Sequence, residues 1–101
     1  NRIVRYSLNS SVGTVVAGGN GAGQGRNQLN LPSGIYLAKS INALYIADTV
    51  NNRIVRWYLG DSEGQTIAGY CNGTAGTTAL LLNTPTTLTM DSDEKYLSVQ
   101  Q

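Results

Sequence analysis

The opening Asn1-Arg2-Ile3-Val4-Arg5-Tyr6 returns as Asn52-Arg53-Ile54-Val55-Arg56-Trp57, a displacement of 51 residues. At the same displacement Leu8 meets Leu59, Gly13 meets Gly64, Val16-Ala17-Gly18 meets Ile67-Ala68-Gly69, Gly25 meets Gly76 and Leu29 meets Leu80. The register then slips by two, pairing Pro32 with Pro85 and Ile35 with Leu88, and is read as recovering at Tyr45 with Tyr96. A period of this size restricts the chain to repeat architectures, in which one unit cannot cover its own apolar face and its neighbours do so.

Each unit reads as four short strands punctuated by turns. Ile35 to Ala38 follows Leu31-Pro32-Ser33-Gly34, and Ala43 to Ala47 follows the polar Lys39-Ser40 and Asn42. Arg53 to Leu59 follows Val50-Asn51-Asn52, and Gln65 to Ala68 follows Gly60-Asp61-Ser62-Glu63-Gly64. A Gly-rich connection then leads to the next Pro. No window sustains an apolar spacing of three and four, so no helix is assigned. Four strands in about 50 residues, repeated, are the pattern of a β-propeller blade. The expected class is all-β: four-stranded antiparallel blades, about two in 101 residues.

Leu31-Pro32-Ser33-Gly34-Ile35, Leu44-Tyr45-Ile46-Ala47-Asp48 and Asn51-Asn52-Arg53-Ile54 together resemble the NHL repeat. Its pattern is Pro-x-Gly-Ile, an apolar-Tyr-apolar-Ala-Asp strand and Asn-Asn-Arg-Ile. Two copies span the chain. The second is degenerate, with Thr87 in place of Gly34, Ser98-Val99 read against Ala47-Asp48, and Gln100-Gln101 against Val50-Asn51. The resemblance implies a propeller. A related propeller serves an amidating lyase through metal and histidine; this chain has no histidine, so none of those positions carries over.

On this reading residues 1–31 are strands three and four of a split blade plus a connection. Residues 32–84 are a complete blade plus its connection, and residues 85–101 are strands one and two of the split blade. Joining Gln101 of one copy to Asn1 of another is expected to recreate, within one residue, the junction between Tyr45 and Arg53. Two blades leave apolar faces uncovered, so the expected partners are further blades of the same polypeptide or other copies of the chain, in a ring or filament. The opening on Asn1 and Arg2, without Met or an apolar run, gives the expectation of a stretch from the middle of something longer, with no signal peptide in it.

Composition removes several chemistries. With no His and one Cys, Cys71, the chain has no Ser-His-Asp triad, no zinc site of the usual ligands and no internal disulfide. Seven Lys and Arg against six Asp and Glu leave a net charge of +1, too little for a nucleic-acid field. No apolar run approaches the roughly 20 residues that span a bilayer. No cofactor, metal or catalytic residue is assigned.

The polar residues at the ends of the strands are therefore read as structural. Asp48 precedes Thr49-Val50-Asn51-Asn52, where a carboxylate accepts turn N–H groups. Arg53 and Arg2 begin strands and are expected, with Asn52, to bond between blades, to carbonyls or to Asp48 of an adjacent blade. Arg5 and Arg56 fall on the opposite strand face. Asp91-Ser92-Asp93-Glu94 lacks the spacing of a calcium loop and reads as a solvated hairpin. The run from Gly18 to Gly25 lacks the Lys-Ser/Thr and the helix of a phosphate loop, and reads as a flexible blade-to-blade connection. The aromatics, Tyr6, Trp57, Tyr36, Tyr45, Tyr58, Tyr70 and Tyr96, are expected to pack within or between blades. Asn9 and Asn72 begin sequons, candidate N-glycosylation sites in turns, and Cys71 is a candidate intermolecular thiol.

These features point to a non-enzymatic, extracellular or cell-surface module that works by assembly. The alternative is a propeller binding domain that takes a protein or glycan on its loop face.

Overall fold

The structure, a computed structural model, describes residues 1–69 and 82–101. Among these residues there is no helix, and hence none long and apolar enough to cross a membrane. The chain is all-β, with antiparallel sheets. Among the described residues eight strands run in order: β1 (Arg2–Tyr6), β2 (Gly13–Gly18), β3 (Pro32–Ala38), β4 (Ala43–Asp48), β5 (Arg53–Tyr58), β6 (Gln65–Ala68), β7 (Thr87–Met90) and β8 (Leu97–Gln100). The strands β3-β4-β5-β6 form one four-stranded meander, flanked by the two-stranded sheets β1-β2 and β7-β8.

The central sheet has an apolar face on each side, and each is covered by a different neighbour. Leu44, Ile46, Val55 and Trp57 form one face, because Leu44 pairs with Trp57 and Ile46 with Val55 across β4 and β5. They pack with Ala17 and Leu29, and with the half-buried Ile3 and Val16 of the β1-β2 sheet. Period-two alternation sends Tyr45, Ala47 and Ile54 to the other face, where Leu88 joins them and Met90, Leu97 and Val99 of β7-β8 pack alongside. With both faces covered, every residue of β4 is buried, which explains its unbroken Ala-Leu-Tyr-Ile-Ala run.

The repeat in sequence is a repeat in geometry. β1-β2 and β5-β6 carry the same bulge, between Ile3 and Val4 and between Ile54 and Val55. Asn1 Oδ1 accepts the N–H of Leu31 at 2.8 Å, and Asn52 Oδ1 accepts that of Thr84 at 2.8 Å. Leu31 and Thr84 both have φ near +50°. The displaced register of the second unit does not recover at Tyr96, however. Asn30 N–H donates to Asp48 Oδ1 and Asn83 N–H donates to Gln101 Oε1, both at 2.7 Å. Val99 pairs with Leu88 as Ile46 pairs with Ile35. Gln101 therefore stands in the place of Asp48, and Tyr96 in that of Ala43. The four-residue turns 39–42 and 92–95 are equal in length, so the two residues gained before Pro85 are never given back. A join from Gln101 to Asn1 would lack the equivalents of Thr49, Val50 and Asn51, three residues rather than one.

Two further expectations are corrected. The segment Gly18 to Gly25 is not a loose tether: Asn51 and Arg53 bond its carbonyls, as described below. The aromatics also divide. Trp57 and Tyr45 are buried, whereas Tyr6 and Tyr96 are 60% and 73% exposed, because no described element lies over them.

Gly64 sits where the central sheet packs closely on side chains. A Cβ there would lie 2.5 Å from Val55 Cγ1 and 2.6 Å from Trp57 Cε3, both on buried side chains. Gly13 is as tight, a Cβ there lying 2.4 Å from Val4 Cγ1 and 2.7 Å from Tyr6 Cζ, but Val4 is only half-buried and Tyr6 exposed, so these neighbours yield more readily than Val55 and Trp57. Gly64→Ala is expected to destabilise the chain by about 1–3 kcal/mol, and Gly13→Ala by less than about 1 kcal/mol. Urea denaturation of the two variants measures the difference, and equal losses would contradict it.

Candidate functional site

The most elaborate polar cluster surrounds Asp48 and Arg53, the last residue of β4 and the first of β5. Antiparallel pairing sets them opposite one another across the turn 49–52. Both are buried, and Arg53 Nε lies 2.8 Å from Asp48 Oδ2. Asp48 Oδ2 also accepts from Asn51 Nδ2 at 2.8 Å, and Oδ1 accepts from Asn30 N–H. The carboxylate thus holds its own turn and the incoming chain before β3.

Arg53 uses all of its donors. Nη1 donates to the Gln24 carbonyl at 3.0 Å and to Thr66 Oγ1 at 3.4 Å; Nη2 donates to the carbonyls of Gly25 at 3.1 Å and Gln28 at 2.8 Å. With Nε on Asp48, each of the five guanidinium N–H groups has an acceptor. Asn51 Nδ2 adds the Gly23 carbonyl at 2.7 Å. The cluster is a clasp: it gathers the Gly-rich connection onto the central sheet and leaves the guanidinium no donor for a ligand.

Each residue singled out in the sequence has a definite place. The carboxylate that meets Arg53 belongs to its own hairpin, not to an adjacent blade, because the β4-β5 turn brings Asp48 directly opposite; the inter-unit bonds of Arg53 are those to the connection. Asn52 fastens the lead-in to β7 through Thr84. Arg2, the counterpart of Arg53, is exposed, and Gln101 fills the position of the carboxylate within the chain. Asn9 is exposed in a turn closed by Ser10 N–H on the Ser7 carbonyl at 3.0 Å. Cys71 and Asn72 lie outside the described residues, as does Tyr70.

Asp91 to Glu94 forms a turn in which Asp91 Oδ1 accepts the N–H groups of Lys95 and Tyr96. Among the described residues no group of acidic or thiol ligands is arranged for a metal. Asn51, Gln28 and Asn1 were missed as contributors. Their signal is that Asn1 and Asn52 recur at the repeat period, while the partners of Gln28 and Asn51 are separated by folding rather than by motif.

A cleft of about 690 Å³ lies beside the clasp, lined by Arg26, Arg56, Tyr58, Asp61, Glu63 and Gln65 among others. Arg56 Nη2 donates to Gln65 Oε1 at 2.7 Å, and its guanidinium carbon sits 5.3 Å from the centre of the Tyr58 ring. Charges of both signs meet here, with Arg26 exposed.

Asp48→Ala leaves a buried guanidinium without its counter-charge and is expected to cost about 3–5 kcal/mol of stability. Arg53→Lys keeps the charge but cannot reach five separate acceptors, with an expected loss of about 2–4 kcal/mol. In that variant amide exchange should quicken in residues 19–31 while the β4-β5 ladder stays protected; uniform exchange across both would refute the clasp. Compared with known proteins, the chain matches no family model and no curated protein.

Proposed function

We propose that the chain is a structural module of NHL-type propeller construction, non-enzymatic and extracellular or at the cell surface, whose blades are completed by further blades of the same polypeptide or by other copies of itself. The observation that carries this reading is that one complete four-stranded sheet is covered on its two faces by two half-sheets, β1-β2 and β7-β8. The first reproduces the outer half of the central sheet, with its bulge and its Asn bond; the second reproduces the inner half, with its lead-in bond and register. Among the described residues each half has the strands that the other kind would continue. Ile35 and Leu37, on the face of β3 opposite β7, remain 50% and 42% exposed, a surface a stacked sheet would cover.

A second reading, a binding domain for a protein or glycan, draws on the mixed-charge cleft at Arg26 and Arg56. Its mark would be a ligand whose retention depends on Arg56 while particle mass does not.

Light scattering over rising concentration is expected to show particles of several chains, and Leu37→Asp to reduce their mass at unchanged circular dichroism. A particle that stays at the mass of one chain at all concentrations refutes assembly. After passage through a secretory pathway, intact mass should carry a glycan that Asn9→Gln removes; an unmodified Asn9 counts against the extracellular placement.

A further inference from the structure

The cleft beside the clasp is lined by charges that the fold does not use. Its described lining comes from β5, β6, the turn between them and the connection 24–26. Among the described residues Asp48 and Arg53 form the one ion pair, so Arg26, Arg56, Asp61 and Glu63 share a cleft without pairing with one another. Arg53 places all five of its N–H groups on acceptors within the chain. Arg56, three residues further along β5, places one, on Gln65. Its Nε is buried with no acceptor, an arrangement that costs stability and that nothing in the sheet requires.

The internal repeat separates what builds the sheet from what lines the cleft. Ile54, Val55, Gly64 and Ala68 repeat Ile3, Val4, Gly13 and Ala17 at the displacement of 51. Tyr58, Asp61, Glu63 and Gln65 instead fall where the first unit has Ser7, Ser10, Val12 and Thr14. Both units form the same bulged hairpin, so the strand framework needs none of these four side chains. They equip one copy of it, as a site grafted on a repeat does.

Arg56 is held in place without being saturated. The Tyr58 ring centre lies 5.3 Å from its guanidinium carbon, and Gln65 Oε1 accepts from Nη2 at 2.7 Å. Nη1 and the second N–H of Nη2 are left for the two oxygens of a carboxylate. The Arg26 carbonyl accepts Gly64 N–H at 2.7 Å, which fixes the backbone of the second cation beside the β5-β6 turn. Because Asp48 offsets Arg53, Arg26 and Arg56 are balanced by Asp61 and Glu63. A balanced lining repels a chain of many negative charges and supplies acceptors for hydroxyl groups. Deepening the binding reading above and resting on it, we propose that the cleft takes a sugar with a single carboxylate, a uronic acid. Its carboxylate sits on Arg56 and its hydroxyls on Asp61, Glu63 and Gln65.

Titration of the whole chain with sodium glucuronate, followed by amide NMR shifts against sodium chloride of equal concentration, tests this. Shifts are expected at residues 24–26 and 56–66 and should saturate in the millimolar range, with glucose at least about tenfold weaker. Arg56→Gln should weaken glucuronate about tenfold or more at unchanged circular dichroism, and Arg56→Lys, which keeps the charge without the fork, should fall between the two. Arg26→Gln alters an exposed side chain, leaves the sheet untouched and should weaken it about threefold. Asp61→Asn combined with Glu63→Gln should let an oligoglutamate peptide bind, which the unaltered chain does not. Equal binding of glucuronate and glucose, or full binding to folded Arg56→Gln, overturns the carboxylate contact. An unaltered chain that takes oligoglutamate in this cleft and not glucuronate overturns the sugar and leaves the binding reading standing. Absence of shifts with either ligand overturns the binding reading as well.

Discussion

The buried pair of Asp48 and Arg53 is the interaction on which the arrangement of the chain depends. Two charges taken out of water are expensive, and their mutual attraction offsets that cost only where the remaining donors and lone pairs are also satisfied. Here they are: the guanidinium meets five acceptors and the carboxylate three donors. Since three of the acceptors are carbonyls of the connection after β2, satisfying Arg53 requires that segment to lie against the central sheet. Leu29, fully buried in the core beneath Leu44 and Trp57, arrives on the same segment. The polar clasp and the apolar core are thus two consequences of one chain path.

A second set of bonds fixes how one unit follows another. Asn1 and Asn52 hold the residue preceding each Pro, at Leu31 and Thr84, in a left-handed backbone conformation that side-chain-bearing residues seldom adopt. Thr49 Oγ1 and Ser33 Oγ donate to the carbonyls of Pro85 and Thr86 at 2.7 and 3.0 Å, fastening β3 and its turn to the lead-in of β7. Gly34 permits that approach, because a Cβ there would lie 2.7 Å from the Thr86 carbonyl oxygen. Spacing between units is therefore set by polar bonds at the strand ends, and the apolar faces fill the distance those bonds allow.

Strand positions and the sandwiching of one complete sheet were legible because alternation and turn residues act locally, and the repeat supplied each assignment twice. The register of the last strand was not. Matching Tyr96 to Tyr45 follows side-chain identity, whereas pairing follows backbone bonds and turn length, which put Tyr96 at the place of Ala43. The glycine run misled for a related reason. Lack of Cβ atoms permits freedom, but the carbonyls of Gly23, Gln24 and Gly25 find buried donors on Asn51 and Arg53 about 28 residues later, and no local pattern announces such partners. Asp48 was readable as a residue that accepts turn N–H groups. Its pairing with Arg53 of the same hairpin depended on the length of the turn.

The inner half-sheet is built more loosely on its outward side than the central sheet is. Thr87 stands where Gly34 permits close backbone approach, so a sheet stacked beyond β7 would sit farther out than β7 sits from β3. Gln101 replaces the carboxylate that anchors Arg53, and the outward residues Thr87, Thr89, Ser98 and Gln100 are polar where Tyr45 and Ala47 are apolar. A contact formed there buries less apolar area and lacks the saturated ion pair. It would consequently be weaker than the packing inside one chain, the ordering that the assembly proposed above requires.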